Sequence, residues 1–159
     1  MKTRAIDRLA VLTLASVVVI LDQCSKVWMT GLLSGGQTRT AVPGLLDLQL
    51  VRNTGAAFSL FRDSTLPLAV LSLTVSVAVI IWLWRQRRLP AWQALAVAFL
   101  LGGTIGNGLD RWRLGYVIDF LALVPIRFPV FNIADIAINL AVVCFLLDLL
   151  MHRETARRD

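Results

Sequence analysis

Apolar residues in this chain come in runs as long as a membrane is thick, and the polar residues are gathered between them. The runs cover residues 9–29, 66–84, 91–109 and 133–151. A bilayer core of about 30 Å needs roughly 20 helical residues, and each run has that length. Asp22 and Lys26 interrupt the first; only Ser and Thr interrupt the second. Between these two runs, Gly31, Gly35, Gly36, Pro43 and Gly44 break any long helix. Residues 46–52, Leu-Asp-Leu-Gln-Leu-Val-Arg, alternate with period two and predict a half-buried strand. Trp82, Trp84 and Trp92 flank the short connection around Arg85–Pro90, as interface anchors do. The pattern predicts an all-α membrane protein, one domain over residues 1–159 with four transmembrane helices.

Composition and charge sharpen this. The chain is 57% hydrophobic and 16% charged, with a net charge of +6. Nine of the 16 basic residues are Lys2, Arg4 and Arg8; Arg85, Arg87 and Arg88; Arg153, Arg157 and Arg158. Four crossings put all three groups on one side, which the positive-inside rule makes cytoplasmic, with both termini there. This distribution argues against a nucleic-acid surface. Helix 1 is expected to be an uncleaved span: no Ala-x-Ala site follows it, and Asp22 and Gln23 do not suit a lipoprotein cleavage box before Cys24. Cys24 and Cys144 lie on different helices and read as small hydrophobes rather than a disulfide.

The candidate chemistry is carried by polar residues in apolar company. Asp119 stands in Tyr-Val-Ile-Asp-Phe and Asp135 in Asn-Ile-Ala-Asp-Ile. Asn107, Asp110 and Arg111 are spaced i, i+3, i+4 on one face of helix 3; Asn132, Asp135 and Asn139 share a face of helix 4. Asp119 is expected on the connection from residue 112 to 131, whose prolines fold it toward Asp135. Asp148 lies far along helix 4, away from this group. Asp22 and Lys26, at i and i+4, form either an interfacial ion pair or a brace for a polar site. Residues 53–59, with Asn53 and Gly55, are either a plain turn or a close backbone approach to a ligand.

Ionisable residues within spans mark function by default. Two close carboxylates share a proton, so one can act as base on a water while the other assists a carbonyl. That is aspartic peptide hydrolysis, and it needs no metal or cofactor. A proton or cation relay in a transporter would spread its carboxylates through the bilayer depth, whereas Asp22, Asp110, Asp119 and Asp135 gather at one surface. A divalent cation site is possible with Asp and Asn oxygens, but Arg111 and Lys26 already bring positive charge there; ion or solute transport and a non-catalytic membrane subunit remain open on the residues alone.

Five motifs occur in order: Leu21-Asp22-Gln23-Cys24-Ser25-Lys26, Asn53-Thr54-Gly55-Ala56-Ala57-Phe58-Ser59, Gly106-Asn107-Gly108-Leu109-Asp110-Arg111, Val117-Ile118-Asp119-Phe120 and Phe131-Asn132-Ile133-Ala134-Asp135. In these the chain resembles the lipoprotein signal peptidases (signal peptidase II). The resemblance implies a bacterial cytoplasmic-membrane aspartyl endopeptidase that cuts a prolipoprotein just before its diacylglyceryl-modified cysteine. It implies Asp119 and Asp135 as the catalytic pair, at the extracytoplasmic side. Asn53, Gly55, Asn107, Asp110, Arg111 and Asn132 would surround them, with Asp22 and Lys26 at the edge. It further implies a small β-cradle from about residue 46 to 58, a short surface helix, contact with membrane lipid and inhibition by globomycin-type cyclic peptides.

Overall fold

The structure, a computed structural model, describes residues 5–55 and 65–156. Nine elements follow in order: β1 (Ala5–Asp7), α1 (Arg8–Leu32), β2 (Arg39–Val42), β3 (Leu46–Asn53), α2 (Thr65–Arg85), β4 (Arg88–Pro90), α3 (Ala91–Leu114), β5 (Val117–Leu123) and α4 (Ile133–Ala156). All four helices are long and apolar enough to cross a membrane.

The helix ends follow local chemistry. The Asp7 carboxylate accepts from the backbone N–H of Ala10 at 2.9 Å and caps α1. This helix runs through Gly31, three residues beyond the expected end, because one glycine costs only about 1 kcal/mol in a long helix. Similarly, α3 runs to Leu114 rather than stopping at residue 109. Asp110, Arg111, Trp112 and Arg113 continue its hydrogen bonding until Gly115 takes a left-handed φ of 79° and donates its N–H to Arg111 O. The outer connection therefore begins at Gly115, not at Trp112.

Helix α3 is the hub, packed against α1, α2 and α4. Its glycines make that possible. A Cβ on Gly102 would lie 2.6 Å from Val18 Cβ, one on Gly103 2.5 Å from Ala134 O, and one on Gly106 2.7 Å from Asp22 Oδ2. Small residues let helix backbones approach in lipid, where van der Waals packing drives association. The close approach at Gly103 and Gly106 brings the start of α4 and the polar turn of α1 onto the same stretch of α3.

The two ends of the bundle carry different sheets. At one end β1 pairs antiparallel with β4, Ala5 opposite Pro90, a contact the sequence pattern does not signal. There Arg8 lies over the Trp84 ring at 4.7 Å and donates to Trp84 O. Among the other basic residues named above, Lys2, Arg4, Arg157, Arg158 and the Arg153 side chain lie outside the described residues. At the opposite end β2, β3 and β5 form an antiparallel sheet in that order. This is the expected cradle with two strands beyond the one expected, β2 and β5, and Asp119 lies on β5, not on an irregular loop. No surface helix occurs among the described residues, and residues 56–64, with the second half of the Asn53–Ser59 motif, lie outside them.

Register positions Asp119. Leu46 pairs with Leu123 and Leu48 with Leu121, then the register shifts, so that Val51 faces Asp119 and Asn53 faces Val117. Two residues of β3 oppose one of β5 across that shift, the geometry of a bulge, which re-aims the side chains beyond it. Phe120 packs with Met29 and Leu33, and strand alternation turns Asp119 to the opposite face. Hydrogen bonds between Leu121 and Phe131 then lead the chain into α4.

Candidate active site

Three asparagines surround the two carboxylates, and each has its carboxamide oriented by a donor to its oxygen. Asn53 Oδ1 accepts from Gly55 N–H at 3.0 Å, which turns Nδ2 toward Asp119 Oδ2 at 2.8 Å. Asn132 Oδ1 accepts from Asp135 N–H at 3.0 Å, and its Nδ2 donates to Asp119 Oδ1 at 2.7 Å. Asn107 Oδ1 accepts from Lys26 Nζ and from Asn132 Nδ2, both at 3.0 Å, and its Nδ2 donates to Asp135 Oδ1 at 2.8 Å. The backbone N–H of Asn132 completes the set on Asp135 Oδ2 at 3.1 Å. All four carboxylate oxygens thus accept a hydrogen bond from a neutral N–H group.

A buried ion cluster stands behind this layer. Lys26 is 1% exposed, and its ammonium donates to Asp22 Oδ2 at 2.8 Å and Asp110 Oδ2 at 2.9 Å as well as to Asn107. Asp22 Oδ1 accepts from Ala134 N–H, and Asp110 Oδ2 from Ile118 N–H. The interfacial ion-pair reading of Asp22 and Lys26 is therefore wrong: both are buried, because helix packing on Gly106 closes over them. Nor do they sit at the edge of the site. One ion cluster ties α1, α3, β5 and the start of α4 together. Gln23, to which the sequence reading gave no role, bridges Asp22, Asp110 and Gly106 O through its Nε2. The signal was an amide beside a charged residue inside an apolar run.

The carboxylates open onto a cleft of about 550 Å³. Asn53, Asn107 and Arg111 line its polar side, and Phe128, Ile136, Leu140 and Val143 its apolar side. Arg111 donates from Nη2 to Gly55 O at 3.2 Å, and its buried Nε has no partner among the described residues. Asn107, Asp110 and Arg111 do share a face of α3, but they diverge: Asp110 joins the ion cluster while Arg111 reaches the cleft. Asn139 lines the cleft too, yet it is exposed and donates to Asp135 O rather than to either carboxylate.

Burial raises the Asp119 pKa to about 7, and the Asp135 charge adds to the rise, against the opposing hydrogen bonds from Asn53 and Asn132. A neutral Asp119 beside an ionised neighbour is the state in which one carboxyl can donate and the other accept. Among the described residues no three His, Cys, Asp or Glu side chains are grouped to hold a metal ion.

Comparison with known proteins gives the family and the fold. The family model described as signal peptidase (SPase) II matches residues 14–151. A lipoprotein signal peptidase of Parasynechococcus marenigrum (strain WH8102) is 58% identical over 150 residues, covering 94% of each chain. One from Enterococcus faecalis (strain ATCC 700802 / V583) is 37% identical over 144 residues, covering 91% of this chain and 89% of its own. The fold is similar to that of a bacterial membrane enzyme solved by the in meso method at 2.3 Å resolution. Its TM-score is 0.83 at 23% identity, covering 100% of this chain and 97% of that one. A second such enzyme, at 1.9 Å, gives a TM-score of 0.78 at 26% identity, with 89% and 92% covered.

Proposed function

The chain belongs to the signal peptidase II family, a multi-pass bacterial membrane peptidase family that removes signal peptides from prolipoproteins, and we propose that it does so as an aspartic endopeptidase through Asp119 and Asp135. The observation that carries this reading is that both carboxylates face one cleft, with Asn53, Asn107 and Asn132 oriented to donate to them. One carboxylate, ionised, takes a proton from water as the water oxygen attacks the carbonyl carbon before the diacylglyceryl-modified cysteine. The other, protonated, gives its proton to the carbonyl oxygen. The resulting diol collapses: the proton taken from water passes to the leaving amide nitrogen, the C–N bond breaks, and the diol returns a proton to the second carboxyl. The dyad is regenerated.

The substrate is a membrane helix carrying acyl chains, and the site suits that. Ile136, Leu140 and Val143 line the cleft and are also exposed on the lipid-facing side of α4, so an apolar segment can enter sideways from the bilayer. Arg111 is placed to hold substrate backbone carbonyls beside Gly55 O. The positive-inside rule puts the β1–β4 end and both termini in the cytoplasm and the end with β2, β3 and β5 outside. Globomycin-type cyclic peptides would occupy the same cleft. A transporter needs carboxylates along its path, whereas Asp22, Asp110, Asp119 and Asp135 meet at one end of the bundle.

Purified protein in detergent, incubated with a synthetic diacylglyceryl-modified prolipopeptide and its unlipidated twin, tests the reading by mass spectrometry. The lipidated peptide alone is cut, leaving its modified cysteine as the new N-terminus. Cleavage of neither peptide, or equal cleavage of both, would overturn it.

A further inference from the structure

Of the four donors that orient the asparagines, two are backbone N–H groups, one is the Asn132 carboxamide and one, Lys26 Nζ, is an ammonium. Lys26 has three N–H bonds and three acceptors, Asp22 Oδ2, Asp110 Oδ2 and Asn107 Oδ1, so it is satisfied and fixed. Its contact with Asn107 places a cation on the oxygen of the carboxamide whose N–H₂ faces Asp135 Oδ1. Amide resonance passes that polarisation on: a cation at the oxygen makes the N–H a stronger donor, as hydrogen bonds in a chain polarise one another. The second donor to Asp135 is the Asn132 backbone N–H at the start of α4, where the helix dipole favours negative charge. Asp119 has weaker support. Its donors are two neutral carboxamides, and the Asn132 N–H₂ is shared with Asn107 Oδ1 and Ile118 O.

We infer that Lys26 is a positioning residue which, through the Asn107 carboxamide, places the negative charge of the dyad on Asp135 and leaves the proton on Asp119. The inference rests on the dyad reading above and adds which carboxylate is base and which is acid. Asp135 takes the proton from water; Asp119 protonates the substrate carbonyl. Among the described residues, the charged groups facing this path are Asp22 and Lys26 on α1, Asp110 and Arg111 on α3, Asp119 on β5 and Asp135 on α4, while β3 contributes the neutral Asn53. Asp22 and Asp110 oppose the Lys26 charge, so its effect on Asn107 depends on them. The raised pKa of Asp119 agrees with its holding the proton.

Lys26 does not line the cleft, so its substitution changes the pH profile and kcat while KM stays. Lys26→Met keeps an unbranched side chain only one atom shorter and removes the charge. The acid limb of kcat/KM then moves to higher pH by roughly one unit, at the low end of what a nearby charge does to a carboxylate. Asp110→Asn keeps an acceptor for Lys26, leaves that charge less neutralised, and moves the limb the other way. A purely structural role would lower activity or thermal stability without opposite shifts. An unmoved limb in folded Lys26→Met, or shifts of the same sign in both variants, would overturn the inference. Where Lys26→Met does not fold, Asp110→Asn decides alone, and a limb that stays or rises there overturns it. Asp135→Asn separates the two readings: if it still cleaves, the dyad itself is wrong; if it is inactive and the limbs do not move, only the assignment of charge is.

Discussion

Asn132 and Asp135 cap each other across the first turn of α4. Asn132 N–H donates to Asp135 Oδ2 at 3.1 Å, and Asp135 N–H donates to Asn132 Oδ1 at 3.0 Å. This reciprocal pair has the form of a capping box, with a candidate catalytic carboxylate as its second member. Helix initiation and the aim of the carboxylate are therefore one feature. Carboxylate geometry at a reacting centre tolerates little rotation, and the cap restricts it.

Two substitutions at Asn132 separate these roles. Asn132→Ala removes the cap, at a cost of about 1 kcal/mol, and also removes the shortest hydrogen bond to Asp119. Both the thermal midpoint in detergent and kcat fall. Asn132→Ser restores a good cap but not a donor that reaches Asp119 and Asn107. Its midpoint recovers toward that of the parent while kcat stays low.

Glycine substitutions test the packing that brings the site together. Gly103→Ala drives a methyl group against the Ala134 carbonyl and the Ile138 side chain, so it pushes α4 away from α3. Overpacking of this kind costs on the order of 1–3 kcal/mol, and the midpoint falls with activity. Gly31→Ala, in the last turn of α1, meets nothing within 4 Å. It raises stability by roughly 0.5–1 kcal/mol, the difference between Ala and Gly within a helix. Thermal unfolding of the two variants beside the parent is the check.

The raised pKa of Asp119 has consequences for both activity and stability. With Asp119 as the acid, it must be protonated, so the rate falls along an alkaline limb as pH rises through about 7. For stability the sign is set by a folded pKa above the ordinary 3.8. Its contribution is full below about pH 4 and is lost as pH rises through about 7. The thermal midpoint of the parent declines between pH 5 and pH 8 in part for this reason. Asp119→Asn, which cannot titrate, loses that part of the decline.

Much of this architecture was legible in the chain, for physical reasons that vary by element. Spans of about 20 apolar residues have few alternatives, so all four helices stand close to their expected positions. The polar residues stood out because polar groups in apolar runs are costly. The Leu46–Asn53 strand was visible because it alternates. Neither of its partners was: β2 is only four residues long, and Val-Ile-Asp-Phe-Leu-Ala-Leu at β5 is nearly continuous in apolar character and pairs with β3 through a bulge that no local pattern marks. The ends of α1 and α3 were misplaced because hydropathy stops at the membrane surface while helical hydrogen bonding continues. The burial of Lys26 was hidden because spacing shows that it can meet Asp22, but not that Gly106 lets α3 close over the pair and adds Asp110. Contacts made across distant helices have no signature in local sequence.

Whether Asp119 and Asp135 carry the reaction together, as we propose, is tested by removing each carboxyl group in turn. Asp119→Asn and Asp135→Asn, each purified as a folded, membrane-inserted protein, are incubated with the diacylglyceryl-modified prolipopeptide beside the parent, and released signal peptide is measured. Each variant is expected to lose cleavage altogether; near-parental release by either one would rule out the dyad.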